Sequence, residues 1–453
     1  MTVDQDDDVK CRAAGFFGAL NGTAKNIIFD NATVTSISAP NADGNTDNGT
    51  AVVAGSIYTS GSIEGVTVKD SSVSGNRYVG GVSGYTYGSV KNCIVENTTV
   101  TSTPDNLHNN KYDNGDKAGG VVGVFWHDNT HEISGNTVNN VTVKGYRDIG
   151  GIVGYANGSV VRNIVNGLTL IQDYSILTTP KTTVEAIIGR HDEFEVDASN
   201  TATDVTINKV FNVSSDEELS SVLTNTADTI IIHLPEGNFT LLNGSCTNKK
   251  VKMVGSGEGT VLSILPTSGN YQSQTGATLL FESMTIQGQN EGNYAGLAHT
   301  NKVTYNNCKI LGKITLYAGV EEFNNCTFVN KNDYAIWTYG GKRVTLTGCT
   351  FNSGGKAVLL YGGAGSSETP TTVLTVTDCV FNDDDTLTTV KAAIEIGNDY
   401  GATYILNVTN PKVNGFAINP EGKSTGTNLW ANKKSMDAAH LIVTVDGVKV
   451  YGN

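Results

Sequence analysis

Proline is scarce in this chain, with 8 residues in 453, and charged side chains make up only 16%. Long apolar runs are missing too. No stretch of about 18 apolar residues occurs, so no segment is expected to span a membrane. A basic excess is also lacking: 30 Lys and Arg stand against 44 Asp and Glu, for a formal net charge of −14. Phosphate backbones are repelled by such a chain, which argues against a nucleic-acid partner, and acidic polysaccharides are repelled as well unless cations bridge the surfaces. Cysteines do not come in pairs. The seven are scattered through strand-like segments and do not read as the disulfide framework of a small secreted fold, so the core must supply the stability. Met1 to Asp8 shows no basic segment followed by an apolar one, so this is expected to be either the mature form of an exported chain or a chain that is not exported.

What is present is glycine, 52 residues of it, with abundant Asn, Thr, Ser and Val. This usage favours short β-branched strands separated by tight turns and disfavours helices. The length exceeds what one ordinary core supports, and two different internal repeats divide it. In the first half, a small-residue strand ending in glycine recurs at Gly15-Phe-Phe-Gly18, Val52-Val-Ala-Gly55, Gly80-Gly-Val-Ser-Gly84, Gly119-Gly-Val-Val-Gly123, Gly150-Gly-Ile-Val-Gly154 and Ala186-Ile-Ile-Gly189. After most of them come a polar turn and a second strand in which Asn and Val alternate, as from Ser89 to Val100 and from Ser159 to Val165. Alternation of period two marks one buried face. Unequal spacing is what a coiled solenoid permits at its corners, the longest of which run from Ser38 to Thr50 and from Ser102 to Lys117.

The second half repeats an apolar residue, then Cys three residues later, then another apolar residue two beyond: Tyr305, Cys308, Ile310; Phe323, Cys326, Phe328; Leu346, Cys349, Phe351; Val376, Cys379, Phe381. Phe281, Met284, Ile286 and Val408, Pro411, Val413 fit the same frame. Between these lies a second register, with Tyr317, Tyr339 and Tyr361 spaced 22 and 22 residues apart and His299 in the preceding slot. One helix is expected from Ser215 to Leu223, where Ser215 and Glu218 form a capping box ahead of Leu219, Val222 and Leu223. An Asp446-Gly447 turn between Val443 and Val450 predicts a terminal hairpin.

The helix, the strand from Thr229 to Leu234, the Pro235-Glu-Gly237 turn and the segment from Val251 to Gly259 resemble the amino-terminal end of the pectate-lyase-like right-handed β-helix superfamily. The glycine-ended strands of residues 15 to 189 resemble the GLUG-type repeats of bacterial surface and adhesin-like proteins. Together the resemblances imply an all-β, right-handed parallel β-helix solenoid in two consecutive arrays with one short capping helix between them. The expected division is 1–208, GLUG-like, and 209–453, pectate-lyase-like, with a break near residues 208 to 214.

Neither motif identifies a site. Stacked coils bring Cys308, Cys326, Cys349 and Cys379 within bridging or metal-ligand range, but Met284 and Pro411 occupy the same slot and neither replaces a thiolate. No metal and no cofactor is therefore expected. Tyr317, Tyr339 and Tyr361, with Trp337, form either a strip that stacks on sugar rings or a self-stacking ladder within the coils. Arg343, with Lys342, is a candidate donor to sugar oxygens. Tyr85 and Tyr155, each following a motif glycine, carry the same ambiguity. Asn45-Thr46-Asp47 matches one element of the polygalacturonase pattern, without its companion Gly-His-Gly and Arg-Ile-Lys elements. Asp383 to Asp385 reads as a solvated turn or a Ca²⁺ ligand run, and Arg190 to Glu193 has lyase-like chemistry at a domain edge. With no catalytic residue assigned, the leading expectation is a noncatalytic secreted or cell-surface adhesin-like protein that binds a glycan or another host or cell-surface ligand. The alternatives are a polysaccharide lyase or glycoside hydrolase, and a phage tail-spike-like receptor-binding protein.

Overall fold

The computed structural model describes residues 1–7, 13–38, 49–103, 117–126, 130–173, 184–192, 196–226, 229–289, 295–317, 319–330, 334–339, 343–361, 371–383, 392–397, 402–418 and 428–453. It is an all-β parallel solenoid, with one α-helix among the described residues. The chain divides into two compact units, Met1–Val210 and Phe211–Asn453.

In the first unit a representative coil runs through the strands Ala118–Gly119, Val122–Trp126, Glu132–Ser134 and Thr137–Gly145. The next coil lays Ile149–Gly150, Val153–Asn157, Ser159–Val161 and Ile164–Asp173 directly over it, all in parallel register. The motif glycines make the corner between the first two strands of each coil. A Cβ on Gly119 would lie 2.0 Å from the Val122 carbonyl oxygen, and one on Gly150 would lie 2.0 Å from that of Val153. Only glycine closes this corner.

The strand expected from Ser89 to Val100 is in fact three: Ser89–Lys91, Ile94–Glu96 and Thr99–Ser102. Asn92 and Asn97 break it, with φ of 54° and 48°. Asn tolerates this left-handed conformation better than most residues, and alternation of residue type does not reveal it. As a result Val90, Val95 and Val100, five apart, all point into the core. Beneath one of these corners the buried Asn136 and Asn163 form an amide ladder with Asn200. The Asn136 side-chain nitrogen donates to Asn163 Oδ1, and that of Asn163 to Asn200 Oδ1, both at 2.9 Å. Asn163 Oδ1 also accepts from the Asn136 backbone N–H at 3.0 Å. These side chains satisfy donors that a solvent-free corner would strand.

The second unit begins with the helix Asp216–Asn225, capped by Ser215, whose side chain accepts from the Glu218 N–H at 3.3 Å. Glu218 turns back one residue further than a capping box requires, accepting from the backbone N–H and the hydroxyl of Ser214 at 2.7 Å. Leu219 and Leu223 join the core of this unit. The repeating frame is realised as ladders. Phe281, Tyr305, Phe323, Leu346, Val376 and Val408 stack in register, as do Ile286, Ile310, Phe328, Phe351, Phe381 and Val413. Ring centroids of Phe328 and Phe351 are 4.3 Å apart and inclined by 4°. The cysteines between these ladders are buried free thiols. Cys326 donates to the Tyr305 carbonyl of the preceding coil at 3.3 Å, and Cys349 to that of Phe323 at 3.3 Å. Leu441–Val445 and Val448–Tyr451 close the unit as an antiparallel hairpin, with Asp446 at φ 48° and Gly447 at φ 77° in its turn.

Candidate functional site

In the second unit a parallel sheet is built from Ile314–Leu316, Ile336–Thr338, Val358–Leu360, Ile394–Ile396 and Trp430–Asn432. Ile314, Ile336, Val358, Ile394 and Trp430 face the core as one ladder. Strand alternation then sends Thr315, Trp337, Leu359, Glu395 and Ala431 to the outer face. Tyr317, Tyr339 and Tyr361, two residues further along their coils than Thr315, Trp337 and Leu359, share that outward phase and are half-buried. They are therefore not core.

The rings form a continuous strip along the stacking direction. Tyr271 lies 5.1 Å from Tyr317, Tyr317 lies 5.5 Å from Tyr339, and Tyr339 lies 5.9 Å from Tyr361, centroid to centroid. Trp337 meets Tyr361 edge-on at 5.2 Å and Tyr339 at 6.4 Å. At the Tyr271 end a polar cavity of about 490 Å³ opens, lined by Asn243, Thr267, Ser268, Asn270 and Ser273 among others. His299 is not in the tyrosine slot. Ala298 pairs with Tyr317, and His299 falls one residue beyond, because the chain gains a residue at a corner between them. Its ring still meets Tyr271 at 5.5 Å, and its Nδ1 lies 2.8 Å from Ser273 Oγ.

Beside Trp337 lies a buried polar group that sequence reasoning missed. Lys313, Lys356 and Glu395 are 8%, 4% and 5% exposed. Lys356 Nζ sits 4.4 Å from the centre of the Tyr334 ring, and Lys313 Nζ 5.4 Å from those of both Tyr334 and Trp337. Glu395 Oε2 lies 3.9 Å from Lys356 Nζ and 3.6 Å from Lys433 Nζ, beyond hydrogen-bond reach, and makes no hydrogen bond. Thr315 Oγ1, on the same outward ladder, makes none either. A carboxylate oxygen held by ion pairs but by no hydrogen bond, and a hydroxyl held out of water without a partner, suit a ligand that brings its own hydroxyls. A signal for Glu395 existed: carried one coil past Tyr361, the tyrosine slot falls at Gly397, two residues after Glu395.

Arg343 is placed apart from this face. It opens the strand Arg343–Thr347 in the neighbouring sheet, with an exposed side chain. Lys342, Asp384, Asp385, Glu193 and the stretch Asn45-Thr46-Asp47 lie outside the described residues, and Asp383 ends the strand Val380–Asp383.

In the first unit Tyr85 and Tyr155 are buried on the outer side of the glycine-ended strands, in an aromatic cluster with Tyr78 and Val124. The Tyr155 hydroxyl donates to Asp192 Oδ2, and burial together with that carboxylate pushes the phenol well above its ordinary range. Arg190 bridges Asp148 at 3.6 Å and Asp192 at 3.7 Å. No family model and no curated protein matches the chain.

Proposed function

We propose that this chain is a noncatalytic, adhesin-like carbohydrate-binding protein of the secreted or cell-surface kind, built on a right-handed β-helix of pectate-lyase-like type with GLUG-like repeats in its first half. The observation that carries the reading is the strip of the exposed Tyr271 and the half-buried Tyr317, Tyr339 and Tyr361, with Trp337 beside it. Aromatic faces pack against the apolar faces of sugar rings, while nearby polar groups orient the hydroxyls. Because the strip follows the stacking direction, its ligand is a linear oligosaccharide lying across successive coils. Glu395 Oε2 and Thr315 Oγ1 supply the acceptors that rank one sugar over another. A glycan array probed with the full chain tests this reading; binding of no glycan ends it.

A second reading, glycan cleavage, is favoured by Glu395, a buried carboxylate between two lysines beside an aromatic platform. Reducing-sugar and unsaturated-product assays on every glycan that binds separate the two. The binding reading predicts no product.

A further inference from the structure

The Gly-Gly-x-x-Gly corner folds the strands of the first unit back so tightly that side chains on their outer sides meet, with the Tyr78 and Tyr85 rings 5.3 Å apart. Two outward positions recur along the longer strand. One holds Ser56, Tyr85, Val124, Tyr155 and Arg190 in register. The other, two residues on, holds Tyr58, Tyr87 and Trp126, of which Tyr58 and Trp126 are 48% and 44% exposed. Trp126 stacks on Tyr155 at 5.5 Å with a 26° tilt. The exposed rim of this face is thus aromatic.

Its buried floor holds two cations, Arg77 and Lys117, and the slot after Lys117 in the next coil holds the buried carboxylate of Asp148, which pairs with Arg190. Lys117 follows Tyr78 in the next coil, its Nζ 5.3 Å from the Tyr78 ring centre and 5.9 Å from that of Tyr155. Arg77 stacks its guanidinium 5.2 Å from the centre of the same Tyr78 ring and is 4% exposed. Both Nε and Nη1 of Arg77 lack a hydrogen-bond partner. A guanidinium so buried costs several kcal/mol unless an anion or a set of acceptors meets it, and each of its two bidentate edges pairs Nη2 with one of these unpartnered nitrogens, a planar fork that matches an oxyanion. Three coils further on, Arg190 has two carboxylates, Asp148 and Asp192, whereas no carboxylate pairs with Arg77 among the described residues.

We infer that the Arg77 corner of the first unit is an anion-binding site, taking the carboxylate or sulfate group of an acidic sugar whose ring lies over the Trp126 and Tyr155 face. The net charge of −14 does not forbid this. Repulsion from distant carboxylates is screened beyond about 8 Å at physiological ionic strength, whereas the guanidinium acts at contact.

The test is isothermal titration of the full chain at fixed ionic strength with sodium sulfate, then with a uronic-acid oligosaccharide, a sulfated oligosaccharide and a neutral one of equal length. Wild type, Arg77→Gln, Arg77→Lys and Tyr339→Ala are compared, each checked for β-structure by circular dichroism. The expected result is saturable sulfate binding and preference for one acidic oligosaccharide over the neutral one, which also identifies the source of the oxyanion. Arg77→Gln should lose affinity about tenfold or more, the scale of one charge-assisted hydrogen bond. Should Arg77→Gln not fold, Arg77→Lys decides, because an ammonium keeps the charge and loses the fork. Inorganic sulfate, which has no apolar face to pack on an aromatic strip, reports on the Arg77 corner alone, while Tyr339→Ala is read with the neutral oligosaccharide, so failure here and failure of the strip in the second unit are told apart. No saturable sulfate or acidic-sugar binding by wild type, or equal affinity in the folded Arg77 variants, would overturn the inference.

Discussion

The ring of Tyr339 lies 5.9 Å from that of Tyr361 and is inclined to it by only 23°, although 22 residues of chain separate them. One turn of the solenoid has placed them on consecutive coils of its outer surface. The contrast with Phe351, stacked on Phe328 at 4.3 Å in the interior, sets the first prediction. Phe351→Ala should destabilise the second unit by about 3–5 kcal/mol. Tyr339→Ala, at a half-buried surface site, should cost under about 1.5 kcal/mol, roughly one ring-pair interaction. Urea unfolding followed by near-ultraviolet circular dichroism measures both. Equal losses would put the strip in the core.

Asn163 is the centre of the amide ladder. Its Oδ1 accepts from the Asn136 backbone and side chain, and its own amide donates to Asn200 Oδ1 and to the Ile133 carbonyl. Asn163→Ala leaves several of these buried groups without partners, at about 1–3 kcal/mol apiece. Asn166→Ala, on the exposed face of the following strand, is the matched control. Chemical denaturation should show a large loss for the first and less than about 0.5 kcal/mol for the second.

The thiols should behave as buried apolar groups. Burial raises Cys93 and Cys246 to about 11. The four ladder thiols of Cys308, Cys326, Cys349 and Cys379 are buried as well, and each donates to a backbone carbonyl. Native protein at neutral pH should therefore react slowly with a thiol reagent at the six described cysteines, and denatured protein without reductant should release all seven. Several silent cysteines, or stoichiometric zinc, would contradict the ladder.

Acid should weaken the first unit through its surface ladders. Glu132 is held below the ordinary carboxylate value of 4.5 chiefly by its hydrogen bond with Lys91, with Arg162 contributing, and Glu64 is lowered by Lys25 in the same manner. A lowered folded value means that the unfolded chain binds the proton first. The stabilisation is therefore complete above the unfolded value and is lost as pH falls through the lower folded one. Melting temperature between pH 6 and 3 should drop less in Glu132→Gln than in wild type. Identical slopes would show that the ion pairs contribute nothing measurable.

Much of the second unit was legible because an inward ladder repeats the same residue type at each coil: aromatic, Cys and apolar positions fell into register as spaced. The outer face obeys no such rule. Glu395 and Lys356 are single occurrences, and the coil between Tyr361 and Gly397 is longer than the 22 residues of its neighbours, which puts the slot out of phase with the spacing. His299 departs from the spacing for a related reason, Ala298 taking the place opposite Tyr317. In the first unit the glycine motifs located the tight corner, while the breaks at Asn92 and Asn97 depend on backbone conformation that alternation alone does not encode. Arg77 and Lys117 gave no signal, since a basic residue before a short strand reads as a solvated turn.

Binding of the same oligosaccharide by wild type, Trp337→Ala and Tyr339→Ala, read by isothermal titration with the melting temperature of each variant recorded, tests the glycan-binding strip most directly. The account predicts saturable binding by wild type and a loss of about tenfold or more in each variant, the scale of one ring–sugar contact of about 1.4 kcal/mol, with melting temperatures within a few degrees of wild type. Unchanged affinity in both variants, or affinity lost only in step with a collapse of the fold, would contradict it.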